Sequence, residues 1–490
     1  MSDVLEGHEI GQALAAMDYG PIPDVLAARY ATDPMQRVWS PEGGVLIERY
    51  HQLNVMEVQA ELGVNIPEDH IEAYRQVIND IDLKAIKIEE AKSKHDVNAR
   101  IIVFNRLAGY QHIGEAMTSR DSTDPTEQFQ KRLGLEIIRR KTVAAIASFS
   151  RAVAAYSEMP LTGRSHNVVA QMTTLGKRFS NTGEELIDEY QALCYHIDNL
   201  KLRGIKGAVG TQQDMLDLFN GDESKVDELD KRVSERLGFA AVYNSVGQIY
   251  PRSQDLATIE ALSHVVGPLS NFATTVRHMM GDNLMVETKE KRTGSNAMPH
   301  KINPRTSERI VGMYSLLGGY KAMMHQKAGE QWLEGDVSDS VIRRVALPGA
   351  FFAADGAMEA GLTVLNGFGI FPQAISSEIE ASLPFLATTK ILTTMIKSGR
   401  GRVDAHDRIK DHAFEVVKDM REKGQPNDLL ERLGDDPEIP MTYAEIKEAV
   451  ARPIELTGRA TTQVNRFVTQ AEAVVATLPE AATYKAKDIL

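Results

Sequence analysis

The chain has 490 residues, 43% hydrophobic and 25% charged, with a formal net charge of −13 and one cysteine, Cys194. That length exceeds a single compact core and suggests about two to four domains, while the composition excludes a generally disordered chain. An acidic balance without a long basic block disfavours nucleic acid and membrane surfaces as partners, and a lone cysteine excludes an intrachain disulfide or a cysteine-based zinc site.

The opening MSDVLEGHEI lacks the basic start and apolar run of a signal peptide, and no run of about 18 apolar residues occurs after it, so a cytoplasmic location is expected. YGPIPDVLAARYATDPMQRVWSPEGG is rich in Pro and Gly and precedes the first clear helix, LIERYHQLNVMEVQAEL. In KSKHDVNAR, His95 beside Asp96 reads either as an oriented acid/base pair or as a satisfied helix end. In AMTSRDSTD, Thr118 and Ser119 stand before Asp121, as an N-cap would. TSRDSTDPTEQ is expected to separate this first block from a block of long helices.

That second block carries helical periodicity in EIIRRKTVAAIASFSRAVAAY and TTLGKRFSNTGEELIDEYQALCYHI, where Cys194 reads as a small buried side chain. Between them GRSHNVVAQMTTLGKRF looks like a loop, with His166 between Ser165 and Asn167. The glycine-rich RGIKGAVGT has neither phosphate-loop spacing and comes after no strand, so it reads as a turn. In PLSNFATTVRHMM, the residues Leu269, Phe272, Val276 and Met279 share a face, and in RTSERIVGMYSLLGGYKAMM so do Ile310, Met313, Leu317 and Met324. The methionines are core filler rather than ligands, and no histidine spacing supports a metal site. LNGFGIFPQAI marks the passage to a third block of shorter helices.

GSNAMPHKINP, Gly294 to Pro304, interrupts the helical pattern with a polar loop. Asn303 and then Pro304 read as N-cap and first residue of the next helix, so free N–H groups and a positive helix end would face the loop and form a carboxylate or phosphate cradle beside Lys301.

This loop resembles the GSSxMPxKxNP signature of the fumarase/aspartase superfamily, at Gly294, Ser295, Met298, Pro299, Lys301, Asn303 and Pro304. RYATDPMQRVWSPE, KHDV, GRSHNVVAQMTTLGKRF and SERI, with WLEGDVSDSVIRRVALP and LPFLATTKILTTMIKSGRGRVDAH, resemble the adenylosuccinate lyase family within it. The resemblance implies an all-α, three-domain fold with a central long-helix bundle, divided at 1–119, 120–368 and 369–490. It further implies a homotetramer whose active sites are shared between three subunits. The implied reaction is a β-elimination releasing fumarate from a succinylated purine nucleotide or its ribotide precursor, without cofactor or metal.

By resemblance His166 is the general acid and Ser295 the general base. A serine can serve as base only where water is excluded and positive potential surrounds the alkoxide. Arg29 and Tyr30 would hold the nucleotide phosphate; Lys94, His95 and Asp96 the nucleotide; Thr118 and Ser119 a succinyl carboxylate. Lys301 and Asn303 would stabilise the intermediate, and Gln248, Arg309, Ser340 and Arg344 complete the binding set. Three positions depart from the family pattern: Asn296 replaces a second serine, Gly114 a phosphate-binding histidine (His112 lies two residues earlier), and Gly335 a substrate-binding arginine. A related lyase or cycloisomerase, or a structural protein with a silent site, would share the loop; the presence of both Ser295 and His166 argues against the silent site.

Overall fold

The computed structural model describes residues 9–290, 298 and 300–487. Short helices α1 (Glu9–Ala16), α2 (Val25–Arg29) and α3 (Asp33–Trp39) precede α4 (Pro41–Glu61), α5 (Glu68–Val77), α6 (Leu83–Ser93) and α7 (Asp96–Ala108). The long α8 (Ser119–Ala155) leads through β1 (Pro160–Ser165) and β2 (Val168–Thr174) to α9 (Leu175–Asp198), then β3 (Lys201–Leu202), α10 (Gln213–Leu218), α11 (Glu223–Arg236) and β4 (Ala241–Val242). Next come α12 (Ser253–Gly281), β5 (Met285–Val286), α13 (Arg305–Ala328), α14 (Ser338–Gly367) and β6 (Gly369–Ile370). The last helices are α15 (Pro372–Leu386), α16 (Thr388–Lys397), α17 (Arg402–Lys423), α18 (Leu429–Gly434), α19 (Tyr443–Ala449) and α20 (Ala460–Val475).

The fold is all-α in substance, built on the bundle of α8, α9, α12, α13 and α14. Both stripes read from the sequence are buried, with Leu269, Phe272, Val276, Ile310 and Leu317 fully so. The strands form three two-stranded pairs, β1 with β2 antiparallel, β3 with β4 parallel and β5 with β6 antiparallel. Ala387, Ile391, Met395, Ile409 and Leu433 belong to a separate small core in α16 to α19. Helix α20 returns to the bundle, where Val464 and Phe467 join the main core. Among the described residues no helix is long and apolar enough to cross a membrane.

TSRDSTDPTEQ is helical rather than a loop: after Thr118 as N-cap it forms the first turns of α8. Pro125 lacks the N–H that would bond the carbonyl four residues back, and that carbonyl, on Asp121, is taken instead by His51 Nε2 at 2.8 Å. The helix therefore passes its proline without an orphaned acceptor. Cys194 is half-buried on α9 rather than buried, and burial raises its thiol pKa.

The bundle has two distinguishable ends. At the near end α8, α12 and α14 begin together, tied by Arg252 to Asp124 at 3.2 Å and to Asp339 at 2.6 Å. At the far end α12 finishes, α13 begins and α14 finishes, joined where β5 pairs with β6. The 29 residues of α12 separate these ends by about 43 Å.

Candidate active site

At the near end a tight turn joins α6 to α7, with Lys94 in the left-handed region at φ 55° and His95 as N-cap of α7. His95 Nδ1 accepts the Asn98 N–H at 3.3 Å, which leaves the ring proton on Nε2, 3.1 Å from Ser119 Oγ. The helix-end reading of this histidine is met through Nδ1, while Nε2 lies against Ser119. Asp96 lies 3.4 Å from Arg344 and 3.5 Å from Arg100. Burial pushes the Asp96 carboxyl up, but Arg100, the Val97 N–H and Arg344 hold it below the usual range. Arg100 is anchored in turn at 2.5 Å by the buried Glu48. Lys94, His95, Asp96 and Arg344 line one cleft of about 930 Å³, walled also by Trp39, Ile86 and Glu127.

Thr118 and Ser119 are set by Asp121, which is fully buried. Its Oδ2 accepts the Thr118 N–H at 2.7 Å, and its Oδ1 accepts Lys206 N–H at 2.8 Å, Gly207 N–H at 3.0 Å and Arg203 Nη1–H at 2.5 Å. RGIKGAVGT is thus a turn, although contrary to expectation it comes directly after a strand, the two-residue β3, and it wraps around a carboxylate of the chain itself rather than around phosphate. Gln248 donates its backbone N–H to the Glu334 carbonyl at 2.7 Å, which lays its loop along the segment leading to Ser340 and Arg344.

Behind these residues lies a buried network that no sequence signal announced. Arg343 bonds Asp255 at 2.7 Å and Tyr250 at 2.5 Å, and Asp255 pairs with Lys131. Burial would raise the Asp255 carboxyl, yet Arg343, Lys131 and Arg252 hold it well below the carboxylate range. Consecutive arginines on α14 thus divide the work: the Arg343 side chain is 2% exposed and rigidifies the helix, while that of Arg344 is 70% exposed and faces the cleft.

His166 and the described end of the signature loop, residues 300–304, lie at the far end. GRSHNVV is a hairpin rather than a loop, turning at His166 and Asn167 with φ 52° and 61°, the left-handed pair that a two-residue turn between twisted strands requires. His166 is exposed at its tip, and Arg164 anchors the hairpin to Glu378 and, at 3.5 Å, to Asp282 just beyond α12. Lys301 is exposed, and Asn303 and Arg309 are half-buried. Ser295 lies outside the described residues, as do Gly294, Asn296 and Pro299.

Two expectations about this loop need correction. The cap of α13 is Pro304 rather than Asn303, and the helix starts at Arg305, whose N–H bonds the Asn303 carbonyl at 2.9 Å. The helix end is also not an open anion cradle. The buried carboxylate of Glu287 fills it, accepting Thr306 N–H, Ser307 N–H and Ser307 Oγ–H at 3.0 Å each. A carboxylate already tethered to the chain satisfies the N–H groups that an external anion would need.

Arg29 and Tyr30 sit between the two ends. Arg29 closes α2 and is exposed, while Tyr30 packs against Gly356, 18 residues into α14 and about 27 Å from its start. One chain therefore gathers Lys94, His95, Asp96, Thr118, Ser119, Gln248, Ser340 and Arg344 at the near end. It leaves His166, Lys301, Asn303 and Arg309 at the far end, with Arg29 and Tyr30 apart from both.

Both ring nitrogens of His112 are engaged within this chain, Nδ1 at 2.9 Å from Glu115 and Nε2 at 2.9 Å from His70. Gly114 and Gly335 have φ of 93° and 148°, so any side chain at either position is strained by the backbone itself.

Two family models match the chain: Lyase over residues 47–317 and Adenylosuccinate lyase C-terminus over 384–467. The adenylosuccinate lyase of Saccharomyces cerevisiae is 34% identical over 92% of this chain and 95% of its own, and that of Schizosaccharomyces pombe is 32% identical over the same shares. Among solved structures, the 3-carboxy-cis,cis-muconate lactonizing enzyme of Pseudomonas putida superposes with a TM-score of 0.78 at 17% identity, covering 92% of this chain and 99% of that one. At that identity the likeness speaks for the fold alone.

Proposed function

The chain belongs to the adenylosuccinate lyase family, and from that premise we propose that it eliminates fumarate from adenylosuccinate, giving AMP, and from succinyl-aminoimidazole carboxamide ribotide, giving AICAR. We propose further that it does so as a homotetramer with sites shared between copies. The observation that carries this second step is the separation of the site residues: His166 and Gln248 flank opposite ends of the same helix, α12, about 43 Å long. Residues so far apart in one chain meet over a single substrate only if different copies supply them.

In the proposed reaction Ser295 removes a proton from the carbon beside one succinyl carboxylate, and charge builds on that carboxylate. With the end of α13 occupied by Glu287, the stabilising cation is Lys301 rather than the helix N–H groups. The C–N bond then breaks and His166 protonates the leaving nitrogen. Thr118 and Ser119 hold a succinyl carboxylate, with Ser119 oriented by His95; Arg29 and Tyr30 hold the phosphate; Arg344, Ser340, Gln248, Arg309, Lys94 and Asp96 complete the contacts. Each proton-transfer group contributes roughly 10² to 10⁴ in rate.

The test is to supply adenylosuccinate to the purified protein and follow fumarate formation in the ultraviolet. Turnover is expected. No turnover, with argininosuccinate or a carboxymuconate converted instead, would sink the reading.

A further inference from the structure

A buried polar cluster in the middle of the bundle takes no part in the elimination itself. Lys141 on α8 faces two carboxylates of α14, pairing with Asp355 and, at 2.8 Å, with Glu359. All three are buried, Asp355 and Glu359 completely. Burial pushes the Lys141 ammonium down, but Asp355 and Glu359 hold it well above the ordinary lysine range. A buried ion pair of this kind is seldom needed for stability, since apolar residues of the same volume do as well, and its best attested use is to fix register.

The segments registered here are identifiable. Asp355 Oδ2 accepts the Thr32 N–H at 2.6 Å and the Thr32 hydroxyl at 2.8 Å, and Lys141 lies 3.1 Å from that hydroxyl. Thr32 stands two residues beyond Tyr30. Tyr30 nests against α14 beside Asp355 because position 356 is glycine: a Cβ there would stand 2.7 Å from Tyr30 Cβ. From the other side Tyr484 donates its hydroxyl to Glu359 at 2.5 Å and Lys487 its backbone N–H at 2.8 Å, with the Lys141 ammonium 5.6 Å from the Tyr484 ring centre.

We propose that Asp355 is a positioning residue for phosphate binding: with Lys141 it fixes Thr32, and through Thr32 the exposed Arg29–Tyr30 pair, while the segment 484–487 closes the network. The inference rests on the reading of Arg29 and Tyr30 as phosphate ligands. Its chemical logic is that an exposed arginine at the end of the five-residue helix α2 holds a phosphate well only if the backbone beneath it cannot shift.

The test compares product inhibition by AMP, which carries the phosphate, with inhibition by fumarate, which does not. Asp355→Asn keeps the shape and is expected to raise the AMP inhibition constant and the KM about tenfold; Thr32→Val removes one hydroxyl and raises both about threefold. Inhibition by fumarate and kcat stay within about twofold, a split that general loss of structure does not produce. If Asp355→Asn does not fold, Thr32→Val, which leaves every charge paired, carries the test. AMP and fumarate inhibition weakened together, or AMP inhibition untouched in folded Thr32→Val, would overturn the proposal. Arg29→Gln separates the two levels: if it leaves AMP inhibition unchanged, the phosphate assignment itself fails. If it weakens AMP while Asp355→Asn and Thr32→Val do not, only the positioning role is lost.

Discussion

At the scale of single residues, burial gives one histidine two roles. His51, which spares the proline turn of α8 an orphaned acceptor, also ties stability to pH. It is fully buried, its Nε2–H is committed to the Asp121 carbonyl, and a second proton on Nδ1 would find no acceptor. Burial, with Arg203 nearby, pushes its pKa down to about 4 against the bond and charge of Asp121. Between about pH 6.5 and 4 the unfolded chain binds a proton here that the folded chain refuses, so stability falls as pH drops through that window, by roughly 3 kcal/mol at most. Urea unfolding at pH 7 and pH 5 should show the loss, and His51→Gln, which keeps a donor for the Asp121 carbonyl, should flatten it. Legibility at this scale tracks separation along the chain. The cap of α8 was readable because Thr118 and Asp121 are three residues apart, whereas Lys131 in FQKRLGLEI looks like a surface lysine until its partner Asp255, 124 residues away, is seen.

Among the elements, the long helices were legible because their stripes repeat with the helical period over many turns, as in Leu269 to Met279. The hairpin carrying His166 was not, since its strands are short and its turn signal is a single Asn after a His. The filled end of α13 was equally hidden: nothing in ETKEKRT distinguishes Glu287 from its acidic neighbour Glu290. Glu287 fastens the two stems of the signature loop to each other, 19 and 20 residues apart. Glu287→Gln keeps the volume but turns an NH₂ group toward N–H donors, at a cost of about 1 to 3 kcal/mol. The thermal midpoint should fall by a few degrees, and kcat should fall with it because Lys301 and Asn303 sit on the loosened stem. Unchanged kcat in a folded Glu287→Gln protein would show that the clamp does not set Lys301.

For the whole molecule, the fold class was readable from periodicity and motif, while shared sites were implied only by the resemblance, because sequence order by itself says nothing about which end of a bundle a residue occupies. His95 and His166 are separated along the bundle by most of the length of α12 and belong, under the shared-site reading, to different sites in the assembly. His166→Ala and His95→Ala proteins, each weak alone, should regain about a quarter of full activity after subunit exchange, since each site then draws both intact corners from different chains at random. No recovery after verified exchange would count against sharing. Under the shared-site reading the same separation makes catalysis a matter of mass action. A lone copy would then carry every required residue and yet no complete site, so specific activity is expected to depend on protein concentration and to vanish on dilution below the assembly constant.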